Sequence, residues 1–173
     1  MGRAARQDLK GAWHHVMNRG ADRGRIFFTR NDGLAFEHLL ADATTVLGVE
    51  LHAYCLMPNH FHLLLHCPHG GLSKYMQRVG ANYSRRINAR LDGEGSIFRS
   101  RFHSRLLDSP TYLAQAGRYI HRNPLELSPP VDPTSYRWSS LRYYAGLDVP
   151  PPWLHTSTLR DICSGDYLDY VAA

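Results

Sequence analysis

The sequence predicts an α+β domain in which helices pack on one face of a single antiparallel sheet. Apolar residues alternate at strand spacing in four segments and recur at helical spacing in three, with turn residues between them. The first six segments follow the order strand, helix, strand, strand, helix, strand. This order is the split βαβ arrangement of a ferredoxin-like sheet, which places the strand of residues 60–67 at the centre.

Each element has local signals of its own. The strand patterns cover residues 13–19, 49–57, 60–67 and 98–107, and the helix patterns cover residues 31–47, 73–90 and 110–123. Candidate N-caps stand at Asn31-Asp32, at Ser73 and at Ser109, where Pro110 suits the first helical turn. Gly48 ends the first helix, and the third helix ends near Asn123 because Pro124 disfavours helical geometry in the residue before it.

Length and charge restrict the class of protein. With 173 residues, 43% of them apolar, the chain can bury the core of one domain. The formal net charge of +5 favours a polyanionic partner, and nucleic acid is the first candidate. The three cysteines lack CxxC spacing, and no signal peptide or stretch of about 20 apolar residues is visible. We therefore expect a cytoplasmic protein.

The pair His60 and His62 is the most informative motif. Both residues lie in an apolar strand pattern, and because side chains of a strand alternate between faces, both imidazoles point to the same side. Two imidazoles on one face can hold a divalent metal, and a bound metal can activate a phosphate. A His-x-His motif alone is usually incidental, so the metal site depends on a second group downstream.

Tyr119 and Asn123 form that second group, four residues apart on one face of the third predicted helix. The Asn123 carboxamide could complete a metal site with both histidines, and this ligand set favours Mg²⁺ or Mn²⁺. A phenol is a poor nucleophile at neutral pH, but it can attack a phosphate that a metal polarises. The simpler alternatives are a half-buried tyrosine against the sheet and an asparagine at an ordinary helix end.

A basic stretch in the middle of the chain predicts the DNA contacts. Its cations can neutralise phosphates, while Tyr75, Tyr83, Phe98 and Phe102 between them could stack on unpaired bases. The alternative is a solvated helix face with these aromatic rings in the core. Including two arginines near the end of the first strand, the predicted DNA-binding residues are Arg19, Arg23, Lys74, Arg78, Arg85, Arg86, Arg99, Arg101 and Arg105.

Five stretches, in order, resemble the single-tyrosine HUH transposases, and most closely their REP-associated tyrosine transposase branch. They are WHHVMNRG (13–20), AYCLMPNHFHLLL (53–65), FRSRF (98–102), RYIHRNP (118–124) and YRWSS (136–140). The resemblance spans residues 13 to about 145, and the occurrence of all five in order is highly specific. It implies that residues 1–145 are an HUH transposase domain and that residues 146–173 are a proline-linked tail packed on it.

The resemblance also implies an activity. His60 and His62 correspond to the metal ligands, Tyr119 to the nucleophile and Asn123 to the polar group one turn later. Family members cut single-stranded DNA near hairpins through a 5′-phosphotyrosine and rejoin it to another 3′-hydroxyl, which completes strand transfer. REP-associated members act on chromosomal palindromic repeats. The implied partner is single-stranded or hairpin DNA. Members of other branches work as dimers that share active sites, whereas REP-associated members need not, so the resemblance allows a monomer or a homodimer.

One departure and two other functions remain open at this stage. After Pro124 the family continues with a small basic segment, whereas this chain has LELSPP (125–130), so local DNA contacts differ. A different HUH role, such as replication initiation or relaxase-like nicking, is disfavoured by chain length and by residues 118–124. A non-catalytic regulator that binds hairpin DNA on the same fold is disfavoured by the intact set of His60, His62, Tyr119 and Asn123.

Overall fold

Ten helices and strands make up the regular part of the structure, a computed structural model that describes residues 8–163 and 165–173. In chain order they are β1 (Ala12–Arg19), α1 (Arg30–Leu47), β2 (Glu50–Met57), β3 (His60–Cys67), α2 (Leu72–Leu91), β4 (His103–Leu107), α3 (Pro110–Arg122), α4 (Leu141–Tyr144), α5 (Ser157–Ile162) and α6 (Tyr167–Ala172). Two short 3₁₀ turns, Ala21–Arg23 and Asn123–Glu126, follow β1 and α3.

The four strands form one antiparallel sheet in the order β2-β3-β1-β4. This is the predicted split βαβ topology, and it places β3 and β1 at the centre. The register sets Arg19 opposite His60 and Met17 opposite His62, so the end of β1 lies directly beside the His-x-His motif. The two-residue turn between β2 and β3 falls at Pro58 and Asn59, as the sequence predicted.

Helix ends follow the predicted chemistry at two places and differ at two. Gly48 ends α1 in the left-handed conformation with φ 62°, and Ser109 caps α3 by accepting from the Tyr112 amide. The cap of α1 is Thr29, two residues before the predicted pair. The first turn of α2 is capped by Asp8, whose Oδ1 accepts from the amides of residues 71 and 72, and not by Ser73. A cap supplied from 64 residues away leaves no local signal.

The strand predicted over residues 98–107 is shorter in the structure. Only residues 103–107 form β4, and the preceding stretch meets β1 through a single bridge between Gly20 and Phe98. The reason is the register, because Met17 pairs with His103 whereas Gly20 pairs with Phe98. Three steps along the first strand are matched by five along the second, so the two extra residues interrupt the ladder.

The two faces of the sheet have separate cores. On one face α1 and α2 pack over side chains such as Val16, Phe61 and Leu63, as predicted for the two crossover helices. The other face was expected to be open, but α3 packs there over Ala53, Cys55 and Leu64 together with the C-terminal helices. The apolar positions of β2 on that face require a cover, and α3 supplies it.

The C-terminal segment packs against α3. Leu159 of α5 and Tyr167 and Val171 of α6 are buried in the same core as α3. Gly117 permits this contact, because a Cβ there would lie 2.8 Å from Leu159 Cδ1 and 2.8 Å from the Tyr167 hydroxyl. Among the described residues, none of the helices combines the length and the apolar character needed to cross a membrane.

Candidate active site

The site lies on the sheet face that α3 covers only in part. His60 and His62 of β3 share this face with His15 of β1. Because α3 packs over β2 and β3, it brings Tyr119 and Asn123 to the histidines and leaves the β1 side open. The structure thus brings together the four side chains predicted from the sequence, from one strand and one helix.

His60 and Asn123 face each other with two acceptor atoms. Asn59 donates from Nδ2 to the Arg23 carbonyl at 3.0 Å, so its Oδ1 accepts from His60 Nδ1 at 2.7 Å. Asn123 donates from Nδ2 to the Tyr119 carbonyl at 2.9 Å, which turns its Oδ1 toward His60 Nε2 at 3.4 Å. In the neutral ring that Nε2 carries no proton, so an imidazole lone pair and a carboxamide oxygen converge on one point.

His15 of β1 holds the ring of His62. Nδ1 of His62 and Nε2 of His15 lie 2.9 Å apart and share one hydrogen. This contact leaves Nε2 as the nitrogen of His62 that can bind a metal. Partners of this kind fix the orientation of a ligating imidazole, so His15 has the geometry of a positioning residue.

Electrostatics keep these imidazoles neutral. Burial, followed by the neighbouring His15, His60 and Arg19, lowers the pKa of His62 to about 3. Burial and then Arg105 lower the pKa of His15 to about 4, and burial is also the main cause of a lowered pKa at His60. Neutral imidazoles have free lone pairs at pH 7. With the Asn123 oxygen they form a donor set that fits a divalent cation.

Tyr119 stands at the edge of this group. Its ring centroid lies 5.4 Å from that of His62 and 5.6 Å from that of His15, and the side chain is 48% exposed. Partial burial, with the nearby Glu126 carboxylate, raises the pKa of the phenol, while Arg19 opposes this. The hydroxyl is therefore protonated at neutral pH, and it lies where a strand of DNA in solvent could reach it.

A cavity of about 330 Å³ opens in front of Tyr119. His15, His62 and Arg105 contribute to its wall, and so does Tyr112, two helical turns before Tyr119 on the same side of α3. Tyr112 is 45% exposed, and the Arg105 guanidinium lies 5.6 Å from its ring centroid. Tyr112 was not among the predicted site residues, although its spacing of seven residues from Tyr119 is a sequence signal for a shared helix face.

The predicted DNA-binding residues do not form one surface. Arg19 and Arg105 border the site, and the Arg99 amide donates to the Arg19 carbonyl at 3.0 Å. Arg85 and Arg101 border a groove of about 790 Å³ between α2 and residues 95–102. Away from the site, Arg78 binds Asp42 at 2.8 Å and Arg86 borders a shallow groove between α1 and α2. Exposed positions on α2 and in the turn after β1 hold Lys74 and Arg23.

The interleaved aromatic rings belong to the core. Tyr75, Tyr83, Phe98 and Phe102 are all buried between the sheet and α1 and α2. The Tyr83 hydroxyl donates to the Ile26 carbonyl at 2.6 Å, which fixes this ring in the core. Their base-stacking interpretation is therefore wrong and the core alternative holds. The spacing of aromatic residues along the chain shows that they share a face. It does not show whether that face is buried or exposed.

A separate set of potential metal ligands lies at the far end of the hairpin. Three residues, Glu50, His52 and His66, each offer one donor atom, and these three atoms lie within 4.8 Å of one another. His66 is four residues along β3 from His62, a distance of about 13 Å by strand rise. The two groups are therefore distinct places on one sheet face.

Comparison with known proteins identifies the family. The family described as "Transposase IS200 like" matches residues 9–123, well over half of the chain. The chain belongs to the IS200-like transposase family. All four site residues, from His60 to Asn123, lie inside the segment that matches these transposases. Among curated proteins, no match was found.

A solved structure of similar fold agrees with the architecture of this IS200-like transposase. A structure of a REP-associated tyrosine transposase bound to a REP hairpin superimposes with a TM-score of 0.69 at 17% identity, covering 90% of this chain and 92% of that one. A crystal structure of a candidate transposase from Deinococcus radiodurans R1 gives a TM-score of 0.47 at 21% identity, covering 69% of this chain and 94% of that one. The first of these shows the fold.

Proposed function

We propose that this transposase is a metal-dependent endonuclease and strand transferase for single-stranded DNA, with Tyr119 as the nucleophile. His60, His62 and Asn123 would hold the metal, which is Mg²⁺ or Mn²⁺ in this proposal. The observation that carries the proposal is the pair of acceptors, His60 Nε2 and Asn123 Oδ1, that converge at 3.4 Å beside the Tyr119 ring. Two lone pairs directed at one point repel each other unless a cation or a proton lies between them, and burial disfavours the protonated imidazole.

The residues around the site have different roles in this proposal. A divalent ion in this site would polarise the scissile phosphate and neutralise charge that develops on its oxygens. Asn123 fixes the C-terminal end of α3 through its bond to the Tyr119 carbonyl, so ligand and nucleophile are joined through the same helical turn. His15 holds the His62 ring, and Arg19 places a positive charge near both histidines and the phenol.

The reaction itself exchanges one ester for another. The Tyr119 hydroxyl oxygen forms a bond to phosphorus, and the bond from phosphorus to the 3′ oxygen breaks. The Tyr119 hydroxyl loses its proton, and the departing 3′ oxygen gains one. A phosphodiester is present before and after, so the step is reversible and needs no nucleotide cofactor. Attack by a different 3′-hydroxyl on the phosphotyrosine then transfers the strand.

The substrate proposed is hairpin DNA with a single-stranded flank. The structural relative was solved with a REP hairpin, and we extend that substrate class to this chain as a proposal. The flank would pass Arg19 and Arg105 at the site, where exposed Tyr112 offers a ring on which an unpaired base can stack. Arg85 and Arg101 in the neighbouring groove would hold phosphates of the duplex stem.

A denaturing gel with labelled single-stranded hairpin DNA tests the nucleophile. Wild type with Mn²⁺ or Mg²⁺ should give a covalent protein–DNA adduct that chelation prevents. Tyr119→Phe should abolish the adduct and keep DNA binding on a native gel, because the ring and its packing remain. Tyr112→Phe is the matched control on the same helix face, and it should still form the adduct.

The same experiment separates cleavage from regulation. An adduct that survives Tyr119→Phe would refute the assigned nucleophile. DNA binding without any adduct, over several hairpins and both metals, would favour the non-catalytic hairpin-binding protein.

A further inference from the structure

A cluster of ligand-type side chains stands where the β2–β3 hairpin begins and ends, away from the proposed nuclease site. His66 Nδ1 bonds Glu50 Oε2 at 2.7 Å, and His52 Nε2 lies 3.4 Å from the same oxygen. All three side chains approach within 4.8 Å through one donor atom each. The sheet thus places two imidazoles and one carboxylate around a common point.

Hydrogen bonding alone leaves this cluster poorly satisfied. His52 is 2% exposed, and its Nδ1 has no hydrogen-bond partner among the described residues. Its other nitrogen has only the long 3.4 Å contact, because Glu50 Oε2 already accepts the shorter bond from His66. A buried imidazole with no short hydrogen bond is unusual, since burial without a partner costs free energy. A metal bound at His52 Nε2 would replace this long contact with a short bond.

The geometry of the backbone supports a built site. The pairing of β2 with β3 shifts register between Leu51 and Ala53, so His52 occupies a bulge in the strand. Bulges re-aim one side chain relative to its neighbours, and here the result is that His52 and Glu50 both face His66. Trp13 stacks on the His66 ring with centroids 4.4 Å apart and also contacts His52, which restricts both rings.

We propose that Glu50, His52 and His66 bind a second metal ion, of the Zn²⁺ class, independently of the ion at His60, His62 and Asn123. Two imidazole nitrogens and one carboxylate oxygen form a borderline ligand set that suits Zn²⁺, Co²⁺ or Ni²⁺ better than Mg²⁺. His155 stands next to His52 with ring centroids 5.4 Å apart and is exposed. It lies outside the group of three, so its side chain would have to rotate toward the ion to become a fourth ligand.

A fourth ligand from this position would give the ion a structural role. The segment that carries His155 runs beside β2, where the His155 amide donates to the Leu51 carbonyl at 2.9 Å. A Zn²⁺ ion bound by β2, β3 and His155 would cross-link the sheet to the start of the C-terminal segment. We therefore expect the second ion to raise the melting temperature rather than to take part in cleavage.

Zn²⁺ binding to the full chain, stripped of metal with a chelator, tests this site. The variant H60A/H62A removes the proposed nuclease ligands and should still bind one equivalent of Zn²⁺ by equilibrium dialysis with metal analysis. Adding His66→Gln or Glu50→Gln in that background should weaken binding by more than about tenfold, since a ligand is lost. His38→Gln, an exposed histidine on α1, is the matched control and should leave binding unchanged.

Trp13 supplies an optical readout. Co²⁺ at the proposed site should quench Trp13 emission in H60A/H62A, and Trp13→Phe should remove that part of the quenching. If H60A/H62A does not fold, the stoichiometry of the otherwise unchanged chain should fall from two equivalents to one with His66→Gln. The proposal is overturned if H60A/H62A binds no Zn²⁺, or if His66→Gln leaves affinity and stoichiometry unchanged. None of these readouts depends on DNA cleavage.

Discussion

At the scale of single residues, the active site depends on which ring nitrogen each histidine has free. His60 uses Nδ1 for Asn59, and His62 uses Nδ1 for His15, so both rings keep Nε2 for a metal. The sequence placed the two rings on one face because strand parity is local. It could not select His15, because that contact requires the register of β1 on β3.

We expect His15→Ala to weaken metal binding without weakening DNA binding. The His62 ring would lose the partner that orients it, and loss of such a partner lowers metal affinity by about 10–100-fold in other proteins. The Mn²⁺ concentration for half-maximal adduct formation should therefore rise, and a native gel without metal should be unchanged. His15→Gln should restore part of the effect, whereas His103→Ala, exposed on β4, should have none. An unchanged Mn²⁺ dependence in His15→Ala would count against this role.

At the scale of elements, local signals predicted α1, β2, β3 and α3 closely. The periodicity of apolar residues and the caps at Gly48 and Ser109 depend only on residues that are close in sequence. The failures have long-range causes. They are the α2 cap from Asp8 and the change of register against β1 that shortens β4. The position of α3 on the second face likewise depends on which apolar surface of β2 needs a cover.

Contact between α3 and the C-terminal helices should be sensitive to one methyl group. Gly117→Ala would place a Cβ 2.8 Å from Leu159 and Tyr167, so we expect a loss of about 1–3 kcal/mol in the free energy of unfolding. Gly80→Ala in α2 is the control, since its nearest atom would lie at 3.8 Å and alanine favours helices. Urea denaturation measures both variants. Equal stability of the two variants would contradict the prediction, because it would show that Leu159 and Tyr167 can move away from residue 117 at little cost in free energy.

The same contact makes stability depend on pH. His121 of α3 is fully buried between the Tyr167 hydroxyl and the Ser140 hydroxyl, and burial lowers its pKa from 6.5 to about 3. Between these two values the unfolded chain binds a proton that the folded chain does not, so stability falls as pH falls. The slope for one such group is about 1.4 kcal/mol per pH unit.

Urea denaturation from pH 7 to 4 checks this. His121→Gln should lower stability at pH 7 and give a shallower slope than wild type. A slope that does not change in the variant would exclude His121 as a source of the acid sensitivity. Buried His62 and His52 contribute in the same direction, because burial is the first cause of their lowered pKa values.

At the scale of the whole molecule, one chain contains every residue of the proposed nuclease site. Tyr119 lies beside its own His62, with ring centroids 5.4 Å apart. Mixing two inactive variants should therefore give no adduct, even at high concentration. We expect this result for Tyr119→Phe mixed with H60A/H62A on labelled hairpin DNA. An adduct in the mixture would show that the nucleophile of one subunit serves the metal site of another, and sedimentation would then detect a dimer.

The contact between Gly117 and the C-terminal helices has a consequence for how relatives of this protein can diverge. Gly117 and Tyr119 are two residues apart on α3, so their side chains leave the helix in nearly opposite directions. A substitution that changes the size of the side chain at position 159 or 167 would therefore turn α3, and it would move the Tyr119 phenol relative to the scissile phosphate of a bound substrate. Sequences of relatives should show correlated changes among positions 117, 159 and 167, although all three are buried and none belongs to the proposed nuclease site.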